Sequence, residues 1–235
     1  MTRQYSTLTN DAVKHQLERI ADKSTPHQVY KEAMTRLGEQ LGVAMLSAIQ
    51  GQQRVYLVTT VEDADFLAFG ALNELEPHLA SIGFACFWNE RKSLFNRPEL
   101  AVAPILKQYQ EPADGVDYLI IMKSIISGGC VVRTNLQNLI QTIQPQHIFI
   151  AAPVIHEQAE DLLRQAFTPA IAEKFQFFYF AKDNERTAEG EVIPGIGGMV
   201  YERLGFDGEA DKNRYTPDIV KQRRQILLAQ RRASA

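Results

Sequence analysis

The chain has 235 residues, enough for one large core, and its 45% apolar and 23% charged content is ordinary for a soluble globular protein. A formal charge of −3 argues against broad binding to nucleic acid or to a membrane surface. The sequence shows no secretory leader and no apolar run near the roughly 20 residues that cross a bilayer, so we expect a cytoplasmic protein. Cys86 and Cys130 lack a CxxC spacing and predict free thiols, and the five scattered histidines predict no metal site.

The N-terminal third predicts two helices followed by a strand. Residues 9–11 offer a helix cap before an amphipathic stretch that reaches Ile20, and residues 24–26 cap a second helix that continues to about Ile49. Residues 54–60 predict a strand. Apolar residues then recur at helical spacing in residues 66–79, and residues 84–88 predict a further strand.

Residues 90–112 break this regularity, because they mix charges with prolines, and they predict a protruding excursion. From residue 118 to residue 180, strand and helix patterns alternate again. Such units predict one α/β domain over residues 1–210. Its sheet should be mainly parallel and covered by helices on both faces, with ligand sites at the carboxyl ends of the strands.

A small-residue turn links a predicted strand, residues 118–122, to a predicted helix, residues 135–143. Glycines let a backbone approach a phosphate closely, and the following helix adds its positive end, so this turn is a candidate phosphate loop. A tight turn in a parallel sheet would leave the same pattern. The candidate contacts are Ser124, Ser127, Gly128, Gly129 and Cys130.

A second glycine-rich loop spans residues 191–199, after the last predicted strand. Its glycines leave backbone groups open to a flat, neutral ligand, so a nucleobase site and a plain surface turn are the two interpretations. The candidate contacts of this base loop are Ile193, Pro194, Gly195, Ile196, Gly197 and Gly198.

Residues 211–235 form a basic tail. It has seven Lys or Arg against two acids, a net charge of +5, so residues 1–210 carry −8. Residues 216–218 cap a short helix with an apolar stripe among the bases. Three interpretations stay open: a solvated helix packed on its own domain, a docking site for an acidic protein partner, and, in third place, a contact with nucleic acid.

These segments together resemble the uracil phosphoribosyltransferases over nearly the whole chain. The resemblance is carried by residues 14–17, 21–25, the Ser-Gly-Gly turn at 127–129, residues 149–153 and residues 192–197, in the family's order. It implies a type I phosphoribosyltransferase fold with a small hood, found in a homodimer. It also implies that the first loop binds phosphoribosyl pyrophosphate and the second binds uracil.

The chain departs from the family at the charged positions of that site. Met122, followed by Lys123, stands where the family has an acidic residue that engages the ribose, and Glu62 and Asp63 fall where the family has an arginine loop for pyrophosphate. A family arginine aligns with Ala21, and a family aspartate with Gly198. Two carboxylates beside a pyrophosphate would repel it.

The loss of these charged positions together predicts a catalytically inactive relative of the family, without a catalytic residue, metal or cofactor. Such a relative would serve as a regulatory or protein-binding scaffold. Two alternatives stay open. One is an active enzyme that converts uracil and phosphoribosyl pyrophosphate to UMP with Mg²⁺, using Lys123, Arg133 or Arg91 for positive charge. The other is a sensor that binds a nucleotide or base without turnover.

Overall fold

The computed structural model describes residues 3–51, 53–90, 92–94, 97–188 and 190–233, and gives no side-chain detail for residues 92–94, 97–101 or 233. The strands are β1 Arg3–Tyr5, β2 Arg54–Thr60, β3 Ser81–Asn89, β4 Lys92–Leu94, β5 Arg97–Val102, β6 Ile105–Gln110, β7 Tyr118–Met122, β8 Ile125–Ile126, β9 His147–His156, β10 Phe175–Asp183, β11 Glu185–Arg186 and β12 Val192–Ile193. The α-helices are α1 Asp11–Ala21, α2 His27–Leu46, α3 Phe69–Leu75, α4 Cys130–Leu139, α5 Ala159–Gln165, α6 Pro169–Ala172, α7 Val200–Arg203, α8 Gly208–Arg214 and α9 Asp218–Ala233.

The predicted α/β architecture is confirmed. One large sheet has the strand order β1-β10-β9-β7-β2-β3-β6, with β8 paired to β9. The pairings among β3, β2, β7, β9, β10 and β8 are parallel, whereas the outer strands β1 and β6 pair antiparallel with their neighbours. Strand β6 corrects the prediction for residues 90–112, because part of that excursion is the edge of the main sheet and only β4 and β5 form a separate hairpin.

Both faces of the sheet are buried, as alternating side chains of β7 show. Ile120 and Met122 join the core beneath α1, α2 and α3, whereas Leu119 and Ile121 join the core beneath α4 and α5. A strand buried on both faces needs the continuous apolar run that the sequence shows. No helix in the described part of the chain is long and apolar enough to span a membrane.

The basic tail is helical, and its first half is anchored to the domain. The N–H groups of Asp218 and Ile219, at the start of α9, donate to the carboxylate of Asp65, at 3.0 and 2.9 Å. The Tyr215 hydroxyl donates to the same carboxylate, and Arg223 pairs with Glu111 at 3.0 Å. Asp65 thus acts as a helix cap supplied from a distant part of the chain. The division into a domain, 1–210, and a tail, 211–235, stays a prediction.

Replacing that cap should destabilise the protein. Asp65→Ala removes the acceptor of two helix N–H groups and of one hydroxyl, so we expect the free energy of unfolding to fall by roughly 2 kcal/mol. Urea denaturation measures this change. Asp114→Ala, at an exposed position, is the control and should leave the midpoint within error. Equal midpoints for the two variants would contradict the capping role.

Candidate ligand site

The two glycine-rich loops line one cleft, which has a volume of about 230 Å³. Its wall is formed by residues 125–132, 190–192 and 198–201, together with Glu62, Asn89, Lys123, Glu209 and Lys212. Glu62 and Lys123 closely follow the carboxyl ends of the adjacent parallel strands β2 and β7. The cleft therefore lies at the strand ends where the sequence predicts a ligand site.

The first loop leaves the N-terminus of α4 at the cleft wall. Cys130, Val131 and Val132 form both the first helical turn and part of the wall. N–H groups in a first turn have no partner within their own helix, and the residue before them, Gly129, has no side chain to cap them. Gly128 is exposed, and a Cβ placed on it would meet nothing within 4 Å. An anion thus has donors and open space here.

Glycine is required at position 129 for two separate reasons. Its φ of 73° lies in the left-handed region, and a Cβ would stand 2.8 Å from Cδ2 of Leu163. The other polar candidates of this loop have different surroundings. The Ser127 hydroxyl donates to the Gly190 carbonyl at 3.0 Å, which ties the two walls of the cleft together, and Ser124 is fully buried, outside the cleft lining.

Most of the second loop is fixed to the domain. The Gly195 N–H donates to Asp183 at 2.9 Å, and Arg3 bridges the Asp183 carboxylate and the Gly195 carbonyl. Tyr30 donates to the Ile196 carbonyl at 3.3 Å. Of the predicted base contacts, Gly198 lines the cleft, whereas Ile193, Pro194, Gly195, Ile196 and Gly197 do not.

A buried ionic cluster forms the floor of the site. The Lys123 ammonium donates to Asp63 at 2.6 Å, to Glu62 at 2.8 Å and to the Thr60 hydroxyl at 3.0 Å. Its side chain is 9% exposed, and those of Glu62 and Asp63 are 10% and 1% exposed. The cluster holds two carboxylates and one ammonium, so a single negative charge remains.

This geometry explains the departures at 62–63 and 123. In the family that the sequence resembles, an acidic residue ends the strand that corresponds to β7, and an arginine follows the strand that corresponds to β2. Here the uncharged Met122 ends β7 and is followed by Lys123, whereas two acids follow β2. Lys123 and these two acids lie at ion-pair distance. Lys123 is thus not a free cation for a pyrophosphate. Met122 is buried in the core and Arg133 lies outside the cleft lining, whereas Arg91 lies outside the described residues.

The cluster shifts the pKa values of Glu62 and Lys123. Burial alone would raise the pKa of Glu62, but the nearby Lys123 and Lys212 ammonium groups lower it well below its ordinary value of 4.5. Burial alone would lower the pKa of Lys123, but Asp63 and Glu62 raise it above 10.5. Glu62 and Lys123 are therefore held in their charged forms near neutral pH.

Lys212 is a site residue that the sequence does not identify. It is 3% exposed, donates to the Asn89 carbonyl at 2.8 Å and lies 3.4 Å from Glu209. The Asn89 side chain in turn bonds with Asn135 in α4. The sequence shows only a lysine in a basic tail, because its contact with Asn89 spans 123 residues. With Glu191 included, the cleft wall has three acids and two lysines.

Comparison with known proteins supports the fold. No protein-family model and no curated protein matches the chain. The solved AQ2163 protein from Aquifex aeolicus is similar over 86% of this chain and 98% of its own, with 16% identity and a TM-score of 0.67. At this identity the likeness shows the fold alone.

Two further structures are less similar. One is a hypoxanthine phosphoribosyltransferase from Staphylococcus aureus, with 15% identity, coverage of 66% of this chain and 76% of that one, and a TM-score of 0.43. The other is a hypothetical protein from Neisseria gonorrhoeae with bound ppGpp, with 11% identity, coverage of 65% and 81%, and a TM-score of 0.38. TM-scores below 0.5 do not establish a common fold.

Removing the central cation should destabilise the protein strongly. Lys123→Met leaves two buried carboxylates without a counterion, so we expect the free energy of unfolding to fall by roughly 3–5 kcal/mol. Lys14→Met, at a side chain that is 41% exposed, is the control. Adding Glu62→Gln and Asp63→Asn to Lys123→Met should recover much of the loss in urea denaturation. An unchanged midpoint for Lys123→Met would contradict this account.

The cluster should also make stability depend on acid pH. The pKa of Glu62 is lower in the folded chain than its ordinary value of 4.5. Its stabilising contribution is therefore fully present above pH 4.5 and is lost as the pH falls below it. Glu62→Gln removes this titration, so between about pH 5 and about pH 3 the variant should lose less stability than the parent chain. Parallel losses for the two proteins would show that Glu62 does not contribute.

Proposed function

We propose that this chain is a phosphoribosyltransferase-like regulatory protein that binds a nucleoside monophosphate in the cleft and does not transfer a phosphoribosyl group. The observation that carries the proposal is the pairing of Lys123 with Glu62 and Asp63, beside a glycine loop that still leads into an uncapped helix N-terminus.

The helix N-terminus supports binding of one phosphate group. Gly128 gives a phosphate close access, and the first-turn N–H groups of α4 have no partner within the helix. The positive end of the helix favours a negative charge at this point. A phosphate monoester needs no more than this one anion site.

The rest of the cleft disfavours phosphoribosyl pyrophosphate. The resemblance would place its pyrophosphate beside residues 62–64, where this chain has a cluster with a net negative charge. Glu191 and Glu209 add two more acids to the wall, and Lys212 is bonded to Asn89. In a partly desolvated cleft, repulsion between these acids and a pyrophosphate would make the binding free energy less favourable by roughly several kcal/mol. A transferase also needs cationic donors at that group, and those donors are the positions that this chain has changed.

Calorimetric titration tests the proposal with four nucleoside monophosphates, inorganic phosphate, uracil, and phosphoribosyl pyrophosphate with Mg²⁺. We expect a monophosphate to bind more tightly than phosphoribosyl pyrophosphate. No pyrophosphate should be released when uracil is added. If neither the monophosphates nor inorganic phosphate bind, the proposed binding site is wrong. Release of pyrophosphate would establish an active transferase instead.

A pair of variants locates the phosphate. Gly128→Asp places a carboxylate beside the α4 N-terminus, so it should weaken monophosphate binding at least tenfold, or about 1.4 kcal/mol. Gly128→Asn has nearly the same size without the charge, and it should weaken binding much less. Both proteins should keep the parent melting temperature, because a Cβ at this position meets nothing within 4 Å. Equal losses for Asp and Asn would argue against an anion at this loop.

A further inference from the structure

A second cleft, with a volume of about 530 Å³, lies between β6 and the basic helix α9. It shares no lining residue with the first cleft. Its charged lining residues are Lys107, Lys221, Arg224 and Arg231, and its described lining contains no acid. Four positive charges are thus gathered in one groove of a chain whose net charge is −3. We call it the basic groove.

The framework of the basic groove is held in place. The Asp65 cap and the pairing of Arg223 with Glu111 fix the first half of α9 to the domain. Val220, which lines the groove, is 4% exposed, and the indole N–H of Trp88 donates to the Tyr215 carbonyl at 2.8 Å. A ligand in this groove would therefore bind between two preformed walls at little ordering cost.

One wall of the basic groove is a sheet edge. Strand β6 is the last in the strand order and pairs with β3, and no second strand neighbour of β6 occurs in the described chain. Its residues 107–110 line the groove. An edge strand presents unpaired N–H and C=O groups, which an extended peptide can join by strand addition.

The other wall combines positive charge with apolar surface. Arg224 and Arg231 make no ion pair in the described structure, whereas Lys221 pairs with Asp218 of its own helix at 2.8 Å. Leu227 and Leu228 lie between these bases, and Leu228 is 45% exposed. The wall thus suits a segment that alternates acidic and apolar side chains, which is also the alternation that an added strand shows.

We propose that the basic groove binds an acidic, extended segment of a partner protein, which adds to the free edge of β6 and pairs with the bases of α9. Nucleic acid fits the groove less well. The sugar-phosphate backbone of a nucleic acid has no alternating N–H and C=O groups that match a sheet edge. Any part of it that extends past the groove meets residues 1–210, which carry −8.

The chain's one tryptophan makes the binding measurable. Trp88 lines the groove, and the Lys107 ammonium lies 4.6 Å from the centre of its ring. An acidic peptide that pairs with Lys107 should change the emission of Trp88. The probe is a labelled nine-residue peptide in which glutamate alternates with valine, followed by both anisotropy and Trp88 emission.

Matched variants on α9 locate the contact. Arg231→Glu reverses a charge in the groove and should raise the Kd roughly tenfold. Arg232→Glu, an exposed neighbour outside the groove lining, makes the same charge change and should raise the Kd less than about twofold. Equal effects of the two variants would show attraction to the whole tail and would overturn the proposal.

Modified probes separate the remaining explanations. A peptide that is N-methylated at every amide keeps its charge but has no N–H group to donate to a strand edge, so it should bind at least tenfold more weakly. The proposal is wrong if this peptide binds as well as the parent. It is also wrong if the acidic peptide fails to bind while a short oligothymidylate does. Self-association of the protein that Arg231→Glu abolishes would assign the groove to a second copy of the chain and overturn the proposal.

Discussion

The buried ion cluster of Lys123, Glu62 and Asp63 is the constraint on which the candidate site depends. It joins the segments that follow two adjacent parallel strands, and its one ammonium group donates to both carboxylates. Removing one charge alone would leave an uncompensated buried ion. The cluster therefore links the ends of the two strands and leaves a net negative charge beside the cleft.

Around this cluster, hydrogen bonds connect parts of the chain that are distant in sequence. Ser127 fixes the candidate phosphate loop to Gly190, and Asp183 fixes the second loop through Gly195. Both loops thus face the cleft and are also held in place by hydrogen bonds to other parts of the protein. A glycine-rich segment in this protein has two kinds of position: those that need glycine for packing, such as Gly129, and those that leave open space, such as Gly128.

The C-terminal segment contributes lining residues to both clefts. Lys212 in α8 forms part of the wall of the first cleft, and α9 forms one side of the basic groove. Asp65 and Glu111, from the earlier part of the chain, hold this segment on the domain. Its positive charges thus have separate roles: Lys212 and Arg223 are bonded within the protein, while Arg224 and Arg231 line an accessible groove.

The sequence by itself determined the main helices, the central strands and their order along the chain. Continuous apolar runs predicted strands buried on both faces, helical spacing and caps predicted the helices, and glycines marked the loops, because these signals depend on neighbouring residues. Tertiary structure alone decided that Lys123 pairs with Glu62 and Asp63, that Lys212 reaches the cleft, and that β6 lies at the edge of the described sheet beside α9. These features join residues about 60 to more than 120 positions apart, and no local pattern encodes which of them will meet.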